Sequence, residues 1–106
     1  MTEPKRGSVW LVDLGLAAKV RPCLVISVPI EDADRALVTL VPHTTSTRGT
    51  RFECQVQVPF LKHGAFDAQA IVSVPHVKLL RQLGVLRQEQ MASVEAIVNI
   101  WLGLSQ

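Results

Sequence analysis

The spacing of the apolar residues changes once along this chain, and that change limits the folds it can adopt. Residues 52–58, FECQVQV, alternate between apolar and polar, the period-2 pattern of a strand with one buried face. Beyond residue 88 the apolar residues recur every three or four positions, which predicts an amphipathic helix over about 88–104. The members of this stripe are Met91, Val94, Ile97, Val98, Trp101 and Leu104. The pattern therefore predicts a sheet covered by one terminal helix.

Short apolar runs separated by polar turns fill the rest of the chain. The runs that we predict to be strands are 7–14, 22–30, 36–42, 52–58, 68–74 and 84–86. The run PCLVISVPI is nearly all apolar, which is typical of a strand buried on both faces. Pro75 favours a short helical turn between two of the strands. This order predicts a mainly β fold, a small, curled antiparallel sheet or barrel with a C-terminal α-helix.

The size and charge of the chain fit a single domain over residues 1–106. Apolar residues make up 48%, but no run approaches the roughly 18 consecutive apolar residues of a membrane span. The N-terminal residues lead straight into a strand-like run, so we expect no signal peptide, no membrane association and a cytoplasmic location. A net charge of +2 permits a nucleic-acid partner without requiring one.

The cysteines and histidines do not form a metal-binding pattern. Cys23 and Cys54 lie inside apolar strand patterns, which favours buried reduced thiols over a disulfide. His43, His63 and His76 are scattered, and the chain contains no Cys-x-x-Cys or His-x-x-x-His spacing. We therefore predict a protein that uses no metal and no cofactor.

Residues 40–52, LVPHTTSTRGTRF, carry the densest polar chemistry in the chain. An apolar run stops at Pro42, and four consecutive hydroxyl side chains follow it, with Arg48 and Arg51 close behind. Hydroxyl groups and guanidinium groups together suit a phosphate, because each donates hydrogen bonds to anionic oxygens. We interpret this segment as one wall of a phosphate site.

Three separated stretches resemble the MazF/PemK family of toxin endoribonucleases. They are RGSVWLVDL (6–14), RPCLVISV (21–28) and LVPHTTSTRG (40–49). The family has an Arg-Gly-x-Val/Ile-Trp-x-Val strand, then Arg-Pro before an apolar strand ending in Ser, then an apolar strand ending in Pro-x-Thr-Ser/Thr. Gln69 is similar to a late-strand glutamine of the family, and residues 79–104 are similar to its closing Leu…Gly-x-Leu and C-terminal helix.

The resemblance implies a fold, an activity and partners. The fold is an SH3-like barrel of the CcdB/PemK-like kind, and the protein is the toxin of a type II toxin–antitoxin system that forms a homodimer. Its activity is metal-independent cleavage of single-stranded RNA, including mRNA, through attack by the 2′-hydroxyl. The products carry 2′,3′-cyclic phosphate and 5′-hydroxyl ends. A cognate antitoxin protein is implied as well.

The resemblance also assigns the catalytic roles to Arg21, of the Arg-Pro motif, and to Thr44, the first threonine after Pro-x. A metal-free reaction passes through a phosphorane with extra negative charge, which needs fixed donors. Arg21 offers a planar fork of donors and Thr44 one more hydrogen bond. The alternatives are a strand-edge arginine that only snorkels and a threonine that only caps a turn. Arginine stays charged near neutral pH, so Arg21 is a poor general base.

Further residues are predicted to contact the RNA. They are Lys19, Thr45, Ser46, Arg48, Arg51, Asp67 and Gln69. Some family members have an aspartate directly before the late-strand glutamine, where this chain has Ala68. In an extended strand Asp67 and Gln69 would share a face, so Asp67 could serve as the base, whose identity the sequence leaves open. His43 is predicted to point away from Thr44, to the opposite side of its strand.

Two departures from the family pattern keep other functions open. The loop at 15–20, GLAAKV, is short and mostly apolar where the family has a long polar loop, so the preferred RNA sequence is not predicted. That loop and Ala68 favour the alternative of a non-catalytic barrel that binds RNA or protein. A CcdB-like toxin that poisons gyrase is a third reading, but it needs a Trp-Gly-Ile ending, and this chain has Trp101-Leu102-Gly103-Leu104.

Overall fold

The structure, a computed structural model, describes residues 3–15 and 19–104. The strands are β1 Ser8–Asp13, β2 Val20–Val25, β3 Leu37–Thr44, β4 Glu53–Cys54, β5 Ala65–Asp67, β6 Val72–Pro75 and β7 Leu79–Val85. The helix α1 spans Gln88–Leu102, and short 3₁₀ helices lie at Ala68–Ala70 and His76–Lys78. Within the described residues no helix has the length and apolar character needed to cross a bilayer. Residues 16–18 of the loop at 15–20 lie outside the described part.

The strands form an antiparallel sheet in the order β4-β5-β3-β2-β1-β7, and β6 also pairs with β3. The central strand is β3, which has β2 along one edge and both β5 and β6 along the other. The pairing between β1 and β7 contains two irregularities, and such irregularities increase the twist of a sheet. The predicted curled antiparallel sheet with a C-terminal helix is therefore confirmed.

The sheet has an apolar cluster on each face because neighbouring residues of a strand point in opposite directions. The helix-side cluster contains Val9, Leu24, Val41, Phe52, Cys54, Val56, Phe66, Ala68, Leu86, Met91, Val94 and Val98. The opposite-face cluster contains Trp10, Val12, Cys23, Val25, Val38, Leu40 and Leu79. Each fully buried valine or leucine side chain contributes about 1.5–3 kcal/mol. The two clusters therefore hold β2 and β3 in place from both sides.

Helix α1 begins and ends with local hydrogen bonds. The Gln90 side chain accepts the Arg87 backbone N–H at 2.9 Å, and Gly103 ends the helix in the left-handed region at a φ of 72°. The prediction that the apolar stripe continues in the core through Trp101 and Leu104 is wrong, since they are 40% and 71% exposed. The last buried residue of the helix is Val98, so its final turn lies beyond the packed part of the sheet.

Several predicted strands differ from the observed ones. Only Glu53–Cys54 of 52–58 pairs with a neighbouring strand, although burial still alternates along the segment. The predicted strand at 68–74 begins as a 3₁₀ helix, and the strand at 22–30 ends at Val25, before the exposed Val28 and Pro29. The final strand β7 starts well before residue 84. The helical turn after Pro75 and the two buried free cysteines are confirmed.

Candidate functional site

Arg21 and Thr44 lie at the same edge of the sheet, one near the start of β2 and the other at the end of β3. The register of these strands pairs Cys23 with Pro42. Continuing that register by two residues places Arg21 opposite Thr44. Side chains that face each other across an antiparallel pair lie on the same face, so both point to the same side of the sheet.

The neighbouring strand β5 brings Asp67 to this face. Thr44 pairs with Ala65, and Asp67 lies two residues further along the same strand, hence on the same face. Arg21, Thr44 and Asp67 line a cleft of about 440 Å³, the Arg21 cleft. Its remaining lining residues are Leu14, Pro42, His43, Ala70, Val72 and Val74. A guanidinium, a hydroxyl and a carboxylate thus converge between largely apolar walls.

The Thr44 hydroxyl makes a local hydrogen bond and keeps its own proton available. Its Oγ1 accepts the backbone N–H of Ser46 at 3.0 Å, which is the turn-capping role considered as an alternative. A hydroxyl that accepts a hydrogen bond can still donate its O–H. Thr44 can therefore cap the turn and donate to an anionic oxygen in the Arg21 cleft at the same time.

Asp67 is held by the turn that follows β5. Its Oδ1 accepts the backbone N–H of Gln69 at 3.0 Å and caps the 3₁₀ helix Ala68–Ala70. The prediction that Asp67 and Gln69 share a strand face is wrong, because the chain leaves the extended conformation directly after Asp67. Asp67 lines the Arg21 cleft, whereas Gln69 is exposed and outside it.

The thiol nearest the site is unsuited to nucleophilic chemistry. Cys23 Sγ–H donates a long hydrogen bond of 3.6 Å to the backbone carbonyl of Arg21. Burial raises the pKa of the Cys23 thiol to about 12, although the positive charge of Arg21 opposes the rise. Because the thiolate is the reactive form, Cys23 is inert near neutral pH.

The turn after β3 is organised by a residue that the sequence did not single out. The Glu53 carboxylate accepts the backbone N–H groups of Arg48, Gly49 and Thr50 at 2.6–3.1 Å. These hydrogen bonds, the one from Arg48 first, hold the pKa of Glu53 below its usual value. Gly49 has a φ of 74°, which glycine adopts without strain. We call these three residues the 48–50 turn.

The predicted RNA-contact residues divide into groups. Asp67 joins Arg21 and Thr44, and Lys19 and Thr45 line a second cleft. Ser46, Arg48 and Arg51 are exposed on the segment between β3 and β4 and line neither cleft, while the Arg51 guanidinium lies over the Phe52 ring at 4.5 Å. Contact of these three residues with RNA therefore stays a prediction.

The second cleft, of about 590 Å³, opens on the other face of the same strand ends and is called the His43 cleft. It shares Arg21 and His43 with the Arg21 cleft, and its residues Val20, Pro22 and Thr45 alternate with Arg21 and Thr44 along the strand ends. The lining residues are Lys19, Val20, Arg21, Pro22, His43, Thr45, Phe60, Leu61 and Lys62. The His43 ring packs edge-on against Phe66 at 5.1 Å in the helix-side cluster, which confirms that it points away from Thr44.

With this geometry established, residues 5–102 match the profile of the PemK-like, MazF-like toxin of type II toxin-antitoxin systems. The chain belongs to this toxin family. The family predicted from three short motifs is therefore confirmed. The match to the PemK-like, MazF-like toxin leaves only a few residues at each terminus outside the profile.

Solved structures share the fold of this PemK-like, MazF-like toxin. An "Endoribonuclease from Mycobacterial species" superposes with a TM-score of 0.81 at 24% identity, covering 100% of this chain and 97% of that one. MazE-MazF (Form-II) from Deinococcus radiodurans gives 0.82 at 22% identity, covering 99% and 100%. The Mycobacterium tuberculosis toxin MazF-mt6 gives 0.79 at 24% identity, covering 93% and 99%. At these identities the likeness establishes the common fold.

Proposed function

We propose that this PemK-like, MazF-like toxin is an endoribonuclease that cleaves single-stranded RNA, including mRNA, without a metal ion. The observation that carries the proposal is the meeting of Arg21, Thr44 and Asp67 on one face of the sheet, in one cleft. Membership of the toxin family supports it, and so do similar structures whose names describe endoribonucleases.

The proposed reaction uses the 2′-hydroxyl of the RNA as the nucleophile. Asp67 accepts the hydroxyl proton, the 2′ oxygen bonds to phosphorus, and the bond from phosphorus to the 5′ oxygen breaks. Arg21 donates its fork of N–H groups to the non-bridging oxygens, where negative charge grows, and Thr44 adds an O–H. The departing 5′ oxygen takes a proton from solvent. The products then carry 2′,3′-cyclic phosphate and 5′-hydroxyl ends.

The direct test is incubation of the purified chain with a defined single-stranded RNA in the presence of EDTA. We expect cleavage at an unchanged rate and the two product ends given above, identified by mass spectrometry. The control is the double variant Arg21→Ala with Thr44→Ala, checked for folding by circular dichroism. Cleavage at the parental rate by this variant would rule out the assignment. A wild-type chain that binds RNA without cutting it would instead favour the non-catalytic barrel.

We propose that the protein is a homodimer. Large apolar side chains near the end of α1 are 40–71% exposed. They are Ile100, Trp101, Leu102 and Leu104. The Trp101 ring touches only the edge of Phe52, at 5.1 Å between ring centroids, among described aromatic rings. A second copy packed on this end would remove that apolar area from water. Light scattering at micromolar concentration should give twice the monomer mass, and a monomer alone would count against the proposal.

A cognate antitoxin is the proposed protein partner, and the cytoplasm is the proposed location of both. Similar structures include an endoribonuclease with its cognate antitoxin and MazE-MazF complexes. We expect a segment with acidic and apolar residues that folds on binding and covers the basic surface near Arg21 and Arg48. Purified antitoxin should therefore abolish cleavage. Tight binding of the antitoxin without loss of cleavage would show that the antitoxin and the RNA bind to separate surfaces.

A further inference from the structure

The His43 cleft combines features of a binding site, and the proposed reaction gives this cleft no role. It lies behind the Arg21 cleft, across the ends of β2 and β3, because neighbouring residues of each strand face opposite sides. An RNA strand that passes over these strand ends would have one phosphate at Arg21 and an adjacent nucleotide at the His43 cleft. The groups lining that cleft decide what it can bind.

His43 lines this cleft and has a ring nitrogen without a hydrogen-bond partner among the described residues. The residue is only 3% exposed, and its Nε2 is buried without a partner among the described residues. Leaving a buried polar group unpaired costs about 1–3 kcal/mol, so it calls for an explanation. Gly64 lies close against the ring, since a Cβ added there would come within 2.8 Å of the His43 Cε1. Burial lowers the pKa of His43, so the neutral ring has one donor and one acceptor nitrogen.

Phe60 supplies an aromatic surface to the same cleft. Its half-buried ring lies against β7 at Gly84, where an added Cβ would approach Cε2 to 2.5 Å. The absence of a side chain at Gly84 therefore lets the ring rest on the strand. An aromatic ring fixed beside a cleft is the usual stacking surface for an unpaired base.

Two lysines add positive charge. Lys19 and Lys62 are exposed and line the cleft together with the Thr45 hydroxyl. Lys19 has a φ of 54°, a conformation that costs a non-glycine residue about 1–2 kcal/mol. Its carbonyl accepts the Leu14 N–H at 2.7 Å, and its N–H donates to Gly15 at 3.0 Å. The backbone at Lys19 is thus held in a strained form beside the cleft, as is common at functional sites.

We propose that the His43 cleft binds the nucleotide next to the scissile phosphate, with its base between Phe60 and His43 and its phosphate near Lys19 and Lys62. The inference rests on the proposed function, since it names a subsite for the same RNA. A nucleotide supplies an aromatic ring, polar base edges and a negative charge together. An acidic peptide would pair with the lysines and leave the aromatic face and the imidazole nitrogen without partners.

The first experiment measures binding without cleavage. A single-stranded RNA oligonucleotide with 2′-O-methyl groups throughout cannot be cut, because it has no free 2′-hydroxyl. Titrated into the full chain, it should shift the His43 Cε1–H signal in the NMR spectrum and leave that of His76 unchanged. His76 is the matched control, since its Nδ1 is also buried and unpartnered within the described residues but lies beside the start of β3.

Variants then test each interaction separately. His43→Phe should weaken oligonucleotide binding about tenfold, the loss of one good hydrogen bond. Lys62→Gln should reduce the slope of log affinity against log salt by about 0.7, the value for one phosphate contact on a single strand. His76→Phe and Lys78→Gln are the matched controls, and both should bind as the wild type does. Lys62 is exposed, so its variant tests the site even if His43→Phe fails to fold.

Cleavage assays separate this inference from the proposed function. With substrates that differ only in the nucleotide beside the cut, His43→Phe should reduce the spread in kcat/KM by about tenfold. If wild-type cleavage occurs but neither variant alters binding or preference, the subsite is wrong and the proposed function stands. If no RNA is cut but the oligonucleotide still shifts His43, the site stands and the catalytic proposal fails. A His43 shift with an acidic apolar peptide, and none with the oligonucleotide, would overturn the nucleotide assignment.

Discussion

The two ends of β3 both carry a cavity and a histidine, yet their chemistry differs. At the end of the strand, Arg21, Thr44 and Asp67 meet in the Arg21 cleft. At its start, a cavity of about 210 Å³ is lined mostly by apolar residues and by Glu3, Ser27 and His76, with no arginine or lysine among its described lining residues. His43 and His76 each have a buried ring nitrogen without a partner among the residues that the structure describes. The two ends therefore differ in the charged groups near the histidine: Lys19, Arg21 and Lys62 line the His43 cleft, whereas Glu3 lines the cavity of His76.

The largest effect should come from Arg21→Ala. Loss of the guanidinium removes donors that act mainly in the transition state, so kcat should fall about a hundred- to a thousandfold while KM changes little. Arg21→Lys should not restore activity, because an ammonium lacks the planar fork. Arg35→Ala, just before the start of β3, is the matched control and should cleave normally. Equal losses of kcat in Arg21→Ala and Arg35→Ala would show that the two ends of β3 do not differ in this respect.

Asp67→Asn should lower cleavage about a hundredfold, at the low end for loss of a general base. The amide oxygen can still accept the Gln69 N–H, so the turn after β5 is expected to stay in place. The measurement is kcat on a defined single-stranded RNA at saturating substrate. Asp34→Asn, in the exposed turn before β3, serves as the control. Full activity in Asp67→Asn would leave the base unassigned at this end of the strand.

Thr44→Val should reduce kcat about a hundredfold, the low end for loss of one donor to a developing oxyanion. Thr44→Ser should keep most of the activity, since the hydroxyl survives. Thr47→Val, an exposed threonine of the same segment that lines neither cleft, tests whether a hydroxyl anywhere in this segment matters. The role of Thr44 would be purely structural if its variant lost thermal stability and kept its kcat.

Glu53→Gln should have the smallest effect on cleavage and a distinct effect on stability. The folded-state pKa of Glu53 lies below its unfolded value, so its carboxylate stabilises the fold at pH above the unfolded pKa. That contribution decreases as pH falls and is lost below the folded pKa. The Tm difference between wild type and variant should therefore be present at pH 7 and vanish in acid. Glu31→Gln, whose side chain accepts no hydrogen bond among the described residues, should show no such convergence.

The sequence predicts the type of fold well because the fold class depends on periodicity. Alternation in 52–58 correctly marks which residues are buried, as Cys54 and Val56 show. It does not predict strand pairing, because an extended segment can bury alternate residues without a neighbouring strand on either edge. The helical stripe likewise predicts α1, but it cannot say where the sheet beneath ends, which is why Trp101 was misplaced.

The candidate site was predictable only where a motif names its residues. Arg21 and Thr44 follow from short patterns, whereas the position of Asp67 depends on a turn that its own carboxylate stabilises. Glu53 gave no signal, because its role needs three backbone N–H groups to converge on one side chain. The His43 cleft combines three segments that are distant in sequence, so its lining follows from the sheet order and from no local pattern.

The alternation of β3 has a consequence for how such a chain can change length. Thr44 lines the Arg21 cleft, whereas the ring of His43, its neighbour in the extended strand, packs against Phe66 on the helix side. Deleting Val41, between Leu40 and Pro42, would shift the register of β3 by one residue and turn each later side chain of the strand to the other face. The imidazole would then enter the phosphate site, and the hydroxyl would be buried beside Phe66. Insertions and deletions in this strand are therefore expected to exchange the side chains of its two faces. The exposed segment after Thr44 can instead vary in length between relatives.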